Sequence, residues 1–571
     1  MFNVKDHKTI YMFDPFDYLG PKRRKMLDDS WSGIFRDHIR HALPVDRLIP
    51  YFSAGMGRPT KELVSMMGAM LLQHMHDLTD EETTEHFAFN IQWHYSLDIT
   101  DNSDKAAYVC PKSIWTMRST MTKYGLYDCI FEAVGDELVK AFDVDTSLQR
   151  IDSVHIFSNM KHLGRIGIFT STIKKFLINL KRQHKTEFNG LELNLRERYL
   201  KKAEESSFSM VKPSESAKTL QMVADDLFFF IERFGSYRSI PSMKSYQLMT
   251  RILKEQCITE QDENTDEQRI TLKENKDISS DSLQNPSDPD AGYSGHKGKG
   301  YQVQVAETYS KDQDLESLSL ITYVDVQAAH ESDADALMPY IEATEQRGTK
   351  PEEALADTLY GGDDNHEAAK GKGVNLIAPT LDKQKNLFCT LTDFEFSESG
   401  FVISCPGNCR PIKTSKKKSR ITIAFALETC STCPRVNHCP VKPGKKDFIY
   451  LRYNEKNVRL AQRRAYERTD EFKNTYRFRA GVEATMSQLD RRTGIKHLRV
   501  RGMKAVRFAA TMKATALNII RAAACRKRRN KGKSPSLSPL SVLIGLILIV
   551  KEHFFENLGN TAMIKNAMPS L

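Results

Sequence analysis

The stretch YRFRAGVE, residues 476–483, decides how the chain is interpreted. It lies within residues 470–489, whose pattern predicts a helix. On a helix, Tyr476, Arg479 and Glu483 project from one face because they are spaced three and four residues apart. A carboxylate with a guanidinium one turn away can hold a metal ion and grip a phosphate bidentately. The alternative is an ordinary ion pair on a solvated helix face, which stabilises little.

Two further acids stand out by their place in the chain. Asp152 lies in the middle of an apolar strand candidate, residues 147–157, where an unpaired carboxylate costs several kcal/mol. Asp357 ends a short predicted strand, and a glycine-containing loop follows it. Carboxylates from two strand ends and a helix could hold two Mg²⁺ ions through oxygen ligands. The alternative is that each acid is separately satisfied by a salt bridge or a cap. The competing acids with a less favourable context are Asp143, Asp145, Asp363 and Asp364.

The pattern around these acids predicts an α/β domain. Strands are predicted over 301–308 and 318–326, which can pair as a hairpin, and over 354–357 and 374–378, with a helix over 333–345 between the pairs. Residues 1–140 are predicted to be helical, with helices over 62–76 and 81–90 that are compatible with a helix-turn-helix. Residues 258–290 carry ten acids and three bases, and we interpret them as a flexible linker.

Positive charge is concentrated near the C-terminus. The net charge is +10, but residues 445–533 alone hold 26 Lys and Arg against 7 Asp and Glu. Aromatic residues are interleaved with these bases, which predicts a nucleic-acid partner rather than a merely solvated face. The run RKRRNKGK, residues 526–533, is interpreted as a phosphate-gripping tail; a nuclear signal or a solubilising tail is the alternative.

Composition and sequence pattern argue against a disordered, a membrane-spanning or a secreted protein. Hydrophobic residues make up 40% and charged residues 27%, so a folded chain of two to four domains is expected over 571 residues. The longest apolar run, residues 541–550, is about half the length of a membrane span and is expected to pack in a terminal helix or an interface. The first residues lack the pattern of a signal peptide, so a reducing intracellular location is expected.

Six of the ten cysteines lie between Cys389 and Cys439. The spacings Cys405-x3-Cys409 and Cys430-x2-Cys433-x5-Cys439 suit a structural Zn²⁺ in a reducing compartment. The first spacing is looser than usual and the number of thiols is odd, so a cysteine-rich β insertion without metal is the alternative. Neither interpretation makes this a catalytic metal site.

The Tyr-x2-Arg-x3-Glu pattern resembles the core signature of insertion-sequence DDE transposases whose catalytic domain is RNase H-like. The resemblance continues into RRTGIKHLRVRG, residues 491–502, and further blocks follow the family's order. The block GRP (57–59) is similar to the start of the family's helical DNA-binding domain, and IDS (151–153) with SN (158–159) is similar to its first-Asp strand. DPDA (288–291) and GKGY (298–301) are similar to the segment that leads into the second strand. ADTLY (356–360) is similar to the second-Asp motif.

The resemblance implies a bacterial enzyme that binds terminal inverted repeats and target sites in double-stranded DNA and acts as a homodimer near the nucleoid, without a membrane partner. It implies that Asp152, Asp357 and Glu483 are catalytic and hold two Mg²⁺ or Mn²⁺ ions for strand cleavage and strand transfer. The residues implied to contact DNA are Tyr476, Arg479, Arg491, Arg492, Lys496, Arg499, Arg501, Lys297 and Lys299. For the last two lysines, a solvated loop is an equal alternative.

One residue departs from the family pattern. A basic residue is usual near seven positions after the Glu, whereas this chain has Asp490, followed by Arg491 and Arg492. Either Arg491 substitutes for it, or this copy binds DNA ends less well. This departure favours a second hypothesis, a decayed or repurposed DNA-binding protein without catalysis. A third hypothesis, a metal-dependent nuclease that cleaves without joining, uses the same three acids.

The expected fold is an α/β protein with an RNase H-like mixed-sheet core. Its expected parts are an N-terminal helical DNA-binding domain (1–140), the first part of the core (141–165), a helical insertion (166–257), an acidic linker (258–290), the second part of the core (291–380), a cysteine-rich β insertion (381–444), the Glu-bearing helical part of the core (445–525) and a basic, then apolar, tail (526–571).

Overall fold

The computed structural model describes residues 2–5, 7, 12–53, 59–200, 208, 211–261, 268–312, 317–381, 389–444 and 447–532. Gly57 and Arg58 of the first block and the apolar run 541–550 lie outside the described residues. The interpretation of that run as a terminal helix or interface therefore stays a prediction.

Strands occupy three parts of the chain: the core, the helical insertion and the cysteine-rich insertion. They are β1 (Leu148–Phe157), β2 (Cys257–Gln261), β3 (Gln268–Leu272), β4 (Gly292–Ser294), β5 (Gly298–Thr308), β6 (Ile321–Ala328), β7 (Glu353–Leu355), β8 (Asn375–Ile377), β9 (Glu395–Phe396), β10 (Val402–Ser404), β11 (Lys413–Lys417), β12 (Arg420–Ala426), β13 (Lys442–Pro443) and β14 (Phe448–Asn454).

Helices dominate both ends of the described chain and the segment after β1. They are α1 (Pro21–Asp28), α2 (Trp31–Ile34), α3 (Arg40–Ala42), α4 (Val45–Leu48), α5 (Leu63–His76), α6 (Asp80–Phe89), α7 (Ile91–Leu97), α8 (Asp104–Ala107), α9 (Pro111–Tyr124), α10 (Leu126–Phe142), α11 (Arg165–Gln183), α12 (Lys185–Asn189), α13 (Leu193–Leu200), α14 (Ser216–Gly235), α15 (Lys244–Gln256), α16 (Leu337–Gln346), α17 (Asp363–Gly371), α18 (Leu427–Ser431), α19 (Glu455–Glu467), α20 (Asp470–Tyr476), α21 (Gly481–Thr493) and α22 (Met503–Gly532).

A mixed sheet forms the centre of the core. Its strand order is β4, β5, β1, β7, β8, and β6 also pairs with β5. β1 runs antiparallel to β5 and parallel to β7, which is parallel to β8. The hairpin predicted from the sequence is confirmed, because β5 pairs antiparallel with β6. A mixed sheet with a helical N-terminus is consistent with an RNase H-like DDE domain.

Helices cover both faces of the sheet. Val154 and Ile156 of β1 pack with Val482, Met486 and Leu489 of α21 and with one side of α22. On the other face, Ile151 packs with side chains of α16 and α17. This alternation is what a strand buried on both sides requires, since successive side chains point to opposite faces. Asp152 has the same parity as Val154, so its side chain faces α21.

The long helix α22 joins the sheet to the N-terminal helices. Val506, Ala510, Ala514 and Leu517 belong to the sheet's core. Phe508, Met512, Ala516 and Ile519 belong to the core of the N-terminal helices. Both sets repeat mainly every four residues, so a single helix presents two apolar faces. The predicted helices α5 and α6 are confirmed, and Thr79 and Glu82 form a capping box at the start of α6.

The interpretation of residues 258–290 as a flexible linker is wrong for its described part. β2 and β3 form an antiparallel hairpin, and Ile270 lies in the core of the helical insertion. Further along, Leu283 and Asp288 are fully buried, at 0% and 1% exposure. The acidic composition misled because only one of the ten acids, Glu260, lies in a strand, whereas the strand residues themselves can pair across the hairpin and bury Ile270.

The cysteine-rich insertion carries its own sheet, in the order β11, β12, β14, β13. β14 pairs along its whole length with β12, so this sheet ends at Asn454 rather than at the expected boundary of 444. The boundary differs because β14 pairs with β12, and no local sequence pattern predicts such a pairing. In the described part of the chain, no helix combines the length and the apolar character that crossing a membrane would require.

Candidate active site

Asp152 is held by strand β1 on the face that α21 covers. Its Oδ1 accepts a hydrogen bond from the Ser153 amide at 2.8 Å, and its side chain is 17% exposed. Burial raises the pKa of Asp152 above its ordinary value, and the nearby Arg479 guanidinium only partly offsets this effect. The carboxylate is therefore poised to gain stability from any further cation.

Asp357 lies beside Asp152 because of the register of two parallel strands. Arg150 of β1 pairs with Leu355 of β7, and each aspartate stands two residues further along its own strand direction. Asp357 begins a short 3₁₀ turn over residues 358–360, and its Oδ1 accepts a hydrogen bond from the Thr358 amide at 2.6 Å. Its side chain is 40% exposed, so it forms the open side of the pair.

Arg479 joins the two aspartates to Glu483. Its Nη2 lies 2.7 Å from Asp152 Oδ2 and 3.9 Å from Asp357 Oδ2, and its Nη1 lies 3.1 Å from Glu483 Oε1. Arg479 sits on a 3₁₀ turn, Arg477–Ala480, between α20 and α21, so the predicted single helix is interrupted just before Glu483. Burial opposes its charge, yet the carboxylates raise the pKa of Arg479 above its ordinary value.

One cation therefore stands among three carboxylates that come from three separate parts of the chain. Oxygen-only ligands at this position suit Mg²⁺ or Mn²⁺. As the side chains stand, no group of three His, Cys, Asp or Glu residues within the described ranges is close enough to hold a metal ion. At Asp152, Asp357 and Glu483, the carboxylates are held apart because the nitrogen atoms of the Arg479 guanidinium lie between their oxygens.

Two neighbouring residues were missed at the sequence level. Asp333 is 8% exposed and accepts a hydrogen bond from Gln304 at 2.8 Å, and its charge adds to the raised pKa of Asp152. Tyr360 is fully buried and donates its hydroxyl proton to Gln304. Asp333 follows strand β6 within a few residues, as Asp357 follows β7, so its place after a strand was the available indication.

Tyr476 closes the same side of the site. It stacks on Phe472 with ring centroids 5.3 Å apart. Burial raises the pKa of Tyr476, and the charges of Asp357 and Asp152 raise it further. The hydroxyl therefore stays protonated at neutral pH and can donate a hydrogen bond to a phosphate oxygen.

The competing acids are satisfied elsewhere. Asp363 is paired with Arg459, at 2.7 Å, and with Arg463. Asp145 accepts a hydrogen bond from the Ser147 amide, and Asp143 ends α10 in the left-handed conformation. Asp364 lies 3.4 Å from the Lys456 ammonium group, and its side chain is 93% exposed.

The predicted DNA-contacting bases separate into two groups. Arg491 and Arg492 are exposed on α21, and neither has an acidic partner among the residues that the structure describes. Lys297 is exposed and reaches Ser153 Oγ at 3.4 Å, on the strand position after Asp152. These three side chains can meet DNA as they stand.

The other predicted bases make contacts within the protein. Lys299 donates to the Leu163 carbonyl, and burial lowers its pKa. Arg499 binds Asp77 of the N-terminal helices at 3.1 Å, and Arg501 donates to Asn159 at 2.7 Å. Lys496 lies 3.7 Å from Asp490, the residue that departs from the family pattern. Asp490 thus has a structural role at the end of α21.

Five cysteines with candidate spacings lie in one region of the insertion. Cys405 Sγ accepts hydrogen bonds from the amides of Gly407 and Cys409, at 3.3 and 3.4 Å. A methyl group on Gly407 would lie 3.7 Å from Cys405 Sγ and 3.8 Å from Cys433 Sγ, so the two sulfurs flank this glycine. Burial and then neighbouring thiols raise the pKa of Cys430 to about 11. Cys439 has the buried Cys389 as its hydrogen-bond partner, and burial and then the nearby Cys405 and Cys433 raise the pKa of Cys439.

Comparison with known families agrees with this geometry. Residues 404–523 match the family described as a transposase DDE domain, a stretch that contains Arg479 and Glu483. Residues 25–120 match a second family, described as a transposase domain, which covers α2 to α8 and much of α9. No curated protein matches the chain. The two family matches, on either side of a sheet that brings two aspartates to Glu483, support an insertion-sequence DDE transposase.

Proposed function

We propose that this transposase binds the terminal inverted repeats of its own element, cleaves the strands there and joins them to target DNA. The observation that supports this most is the meeting of Asp152, Asp357 and Glu483 around Arg479. The substrate is double-stranded DNA, which places the protein at the nucleoid in the cytoplasm. Two ends must be held together for joining, so it acts as a homodimer on DNA.

The three carboxylates would hold two Mg²⁺ or Mn²⁺ ions. All of their donor atoms are oxygens, and three carboxylates outnumber the single positive charge of Arg479. The chemistry of these ligands therefore fits such ions. When bound, the ions supply activation of the attacking oxygen and charge stabilisation on the leaving oxygen. The site opens to solvent on the side of Asp357 and Glu483, whose side chains are 40% and 69% exposed.

Arg479 and Tyr476 would position the phosphate. Arg479 is buried enough to be held in place, and its fork of N–H donors matches phosphate as well as carboxylate. From its place among the carboxylates, Arg479 would donate to the scissile phosphate. Tyr476, kept protonated, donates from the same side.

Strand cleavage on DNA that carries both flanks of the gene tests the proposal. Wild type is compared with Asp152→Asn and Glu483→Gln, with Mg²⁺ and with a chelator. We expect metal-dependent 3′-hydroxyl ends that both substitutions abolish while DNA binding survives. Asp364→Asn, an exposed acid on α17, is the matched control and is expected to cleave normally.

Two other outcomes would replace the proposal. Tight binding without cleavage under any metal would indicate a DNA-binding protein that has lost catalysis, the alternative that Asp490 favours. Cut ends that are never joined to a target would indicate a nuclease with the same carboxylates.

A structural Zn²⁺ in the insertion is part of the same proposal. Cys405, Cys409, Cys430 and Cys433 are the four thiols we assign to it, because Cys439 has Cys389 as its partner and amide donors already point at Cys405 Sγ. The sulfurs must close together to bind, which metal binding itself would drive. We expect one zinc per chain by elemental analysis, lost in Cys430→Ser and kept in Cys439→Ser. Retention of zinc in Cys430→Ser would contradict this assignment.

A further inference from the structure

A basic cavity lies beside the helix that carries Glu483. It has a volume of about 710 Å³ and is bounded by α21, the end of α22, the start of β1 and residues 317–319. Five arginines line it: Arg150, Arg491, Arg492, Arg521 and Arg528. None of the described residues along its wall is acidic. A concentration of guanidinium groups in one cavity is the chemistry that recognises phosphates.

The floor of the cavity is rigid. Glu307 of β5 is fully buried and lies 2.7 Å from both Arg150 and Arg521. Its Oε2 also accepts the Thr485 hydroxyl at 2.6 Å. The Arg150 guanidinium packs so closely on α21 that a Cβ at Gly481 would lie 2.1 Å from its Nη1. Two charged side chains are thus fixed by one carboxylate before any ligand binds, which lowers the entropic cost of binding.

The rim supplies the remaining charge. Arg491, Arg492 and Arg528 are exposed, and the first two have no acidic partner in the described part of the chain. Arg528 has a partner of its own, so we leave it out; the two floor arginines, Arg491 and Arg492 against the single Glu307 give the cavity a net charge of about +3. An uncompensated field of this size attracts a polyanion.

The cavity and the carboxylates occupy different faces of α21. Gly481, Ala484, Gln488 and Arg492 line the cavity at helical spacing. Glu483 points to another face, about 140° around the helix at 100° per residue. An α-helix with its side chains is about 10 Å thick, so one DNA backbone at Glu483 does not also fill the cavity.

We propose that this arginine-lined cavity binds the phosphate backbone of a second DNA segment, distinct from the one at the carboxylates. The inference rests on the proposed function, since it takes DNA as the substrate. Contacts to the phosphate backbone carry no sequence information, so we expect binding here to be independent of DNA sequence.

Binding of two labelled duplexes tests the proposal. The full-length protein is first saturated with a duplex of one gene flank, and an unrelated duplex with a second dye is then titrated in. For Arg491→Gln/Arg492→Gln, we expect the second duplex to bind about tenfold more weakly, with its salt slope reduced by about two, roughly 0.9 for each lost phosphate contact. The first duplex is expected to lose clearly less affinity than the second, because the carboxylate site lies on another face of α21. These side chains are exposed, so folding is not threatened.

Lys350→Gln/Lys370→Gln is the matched control. It removes the same charge near α16 and α17, on the opposite side of the sheet, and is expected to change neither duplex. Arg528→Gln removes a third rim charge and is expected to weaken the second duplex on its own by a few-fold.

Three results would overturn the proposal. The first is unchanged binding of the second duplex by the double variant. The second is an equal loss of both duplexes, which would mean that a single DNA segment spans both faces. The third is micromolar binding of inorganic tripolyphosphate by wild type, lost in the double variant while DNA binding is kept, which would indicate a small-anion site. Glu483→Gln separates this proposal from the proposed function, because it is expected to stop cleavage and leave both duplexes bound.

Discussion

Two arginine–carboxylate clusters lie on either side of α21, and their proportions are inverted. At the candidate active site, one arginine, Arg479, stands among three carboxylates. At the cavity, one carboxylate, Glu307, holds two arginines. The first cluster has an excess of two negative charges and the second an excess of one positive charge. The first therefore stabilises added cations and the second an added anion, so the sign of the imbalance indicates the ligand.

The clusters also differ in burial. Glu307 has no exposure, whereas Glu483 is 69% exposed. Charges buried as a satisfied network hold the fold together, and removing one member leaves the others unpaired. Exposed charges contribute little to stability and are available for a ligand. Arginine and carboxylate side chains thus stabilise the fold at Glu307, whereas at Glu483 they remain available to a ligand.

The largest expected effect is on catalysis. Asp152→Asn removes a charge that the proposed cations need, at a cost of several kcal/mol in the transition state. At about 1.36 kcal/mol per factor of ten, this lowers the single-turnover cleavage rate about a thousandfold or more. Cleavage that stays within tenfold of wild type would show that Asp152 is not the first catalytic aspartate.

The next effect is on stability. Glu307→Gln leaves Arg150 and Arg521 without their counter-charge, which we expect to lower the free energy of opening the sheet by about 3–5 kcal/mol. Hydrogen exchange of the β1 and β5 amides measures it. Glu483→Gln, at an exposed carboxylate, is the comparison and is expected to change the same quantity by less than about 0.5 kcal/mol. Equal changes in the two variants would contradict the contrast between the clusters.

A smaller effect distinguishes the two roles of Arg479. In Arg479→Gln, the carboxylates lose their internal cation, so we expect Mn²⁺ to bind more tightly, by a few-fold to tenfold, in a calorimetric titration without DNA. Cleavage is nevertheless expected to fall, because the phosphate loses its bidentate donor. Arg477→Gln, two residues away and exposed, is the control. Weaker metal binding in Arg479→Gln would mean that the guanidinium organises the site rather than competing for it.

The smallest effect is on pH dependence. Burial, only partly offset by Arg479, raises the pKa of Asp152 in the folded protein above the ordinary value of 3.8. Between that value and the raised pKa, the folded state binds more protons than the unfolded state, so stability falls as pH rises through this window. Exchange of β1 amides in metal-free buffer across pH 4–7 measures it. Asp152→Asn is expected to lack this component of the fall, whereas Asp364→Asn keeps it.

The carboxylate site was largely predictable from local context. Arg479 and Glu483 are four residues apart, so helix geometry alone places them together, and the structure has them 3.1 Å apart. Asp152 and Asp357 were distinguished by where each stands relative to a strand. The strands themselves were predictable because their apolar runs are bounded by turn-forming residues. Whether these acids hold metal and act on DNA stays a prediction.

Pairing between distant segments was not predictable in this way. The hairpin of β2 and β3 was mistaken for a linker, and β14 was assigned to the wrong unit, since both depend on a partner strand and not on composition. Arg499 has the pattern of a DNA contact, yet its partner is Asp77, more than 400 residues earlier in the chain.

The sequence by itself determined the residue types, the helical spacing of Tyr476, Arg479 and Glu483, and the excess of positive charge near the C-terminus. The tertiary structure alone decided which charges are neutralised and which remain. The register of β1 on β7 sets Asp152 beside Asp357. The register of β1 on β5 pairs Glu307 with Arg150, and the packing of α22 on the sheet adds Arg521. Burial and distance fix the strength of each of these interactions, and both arise only when separate segments pack together.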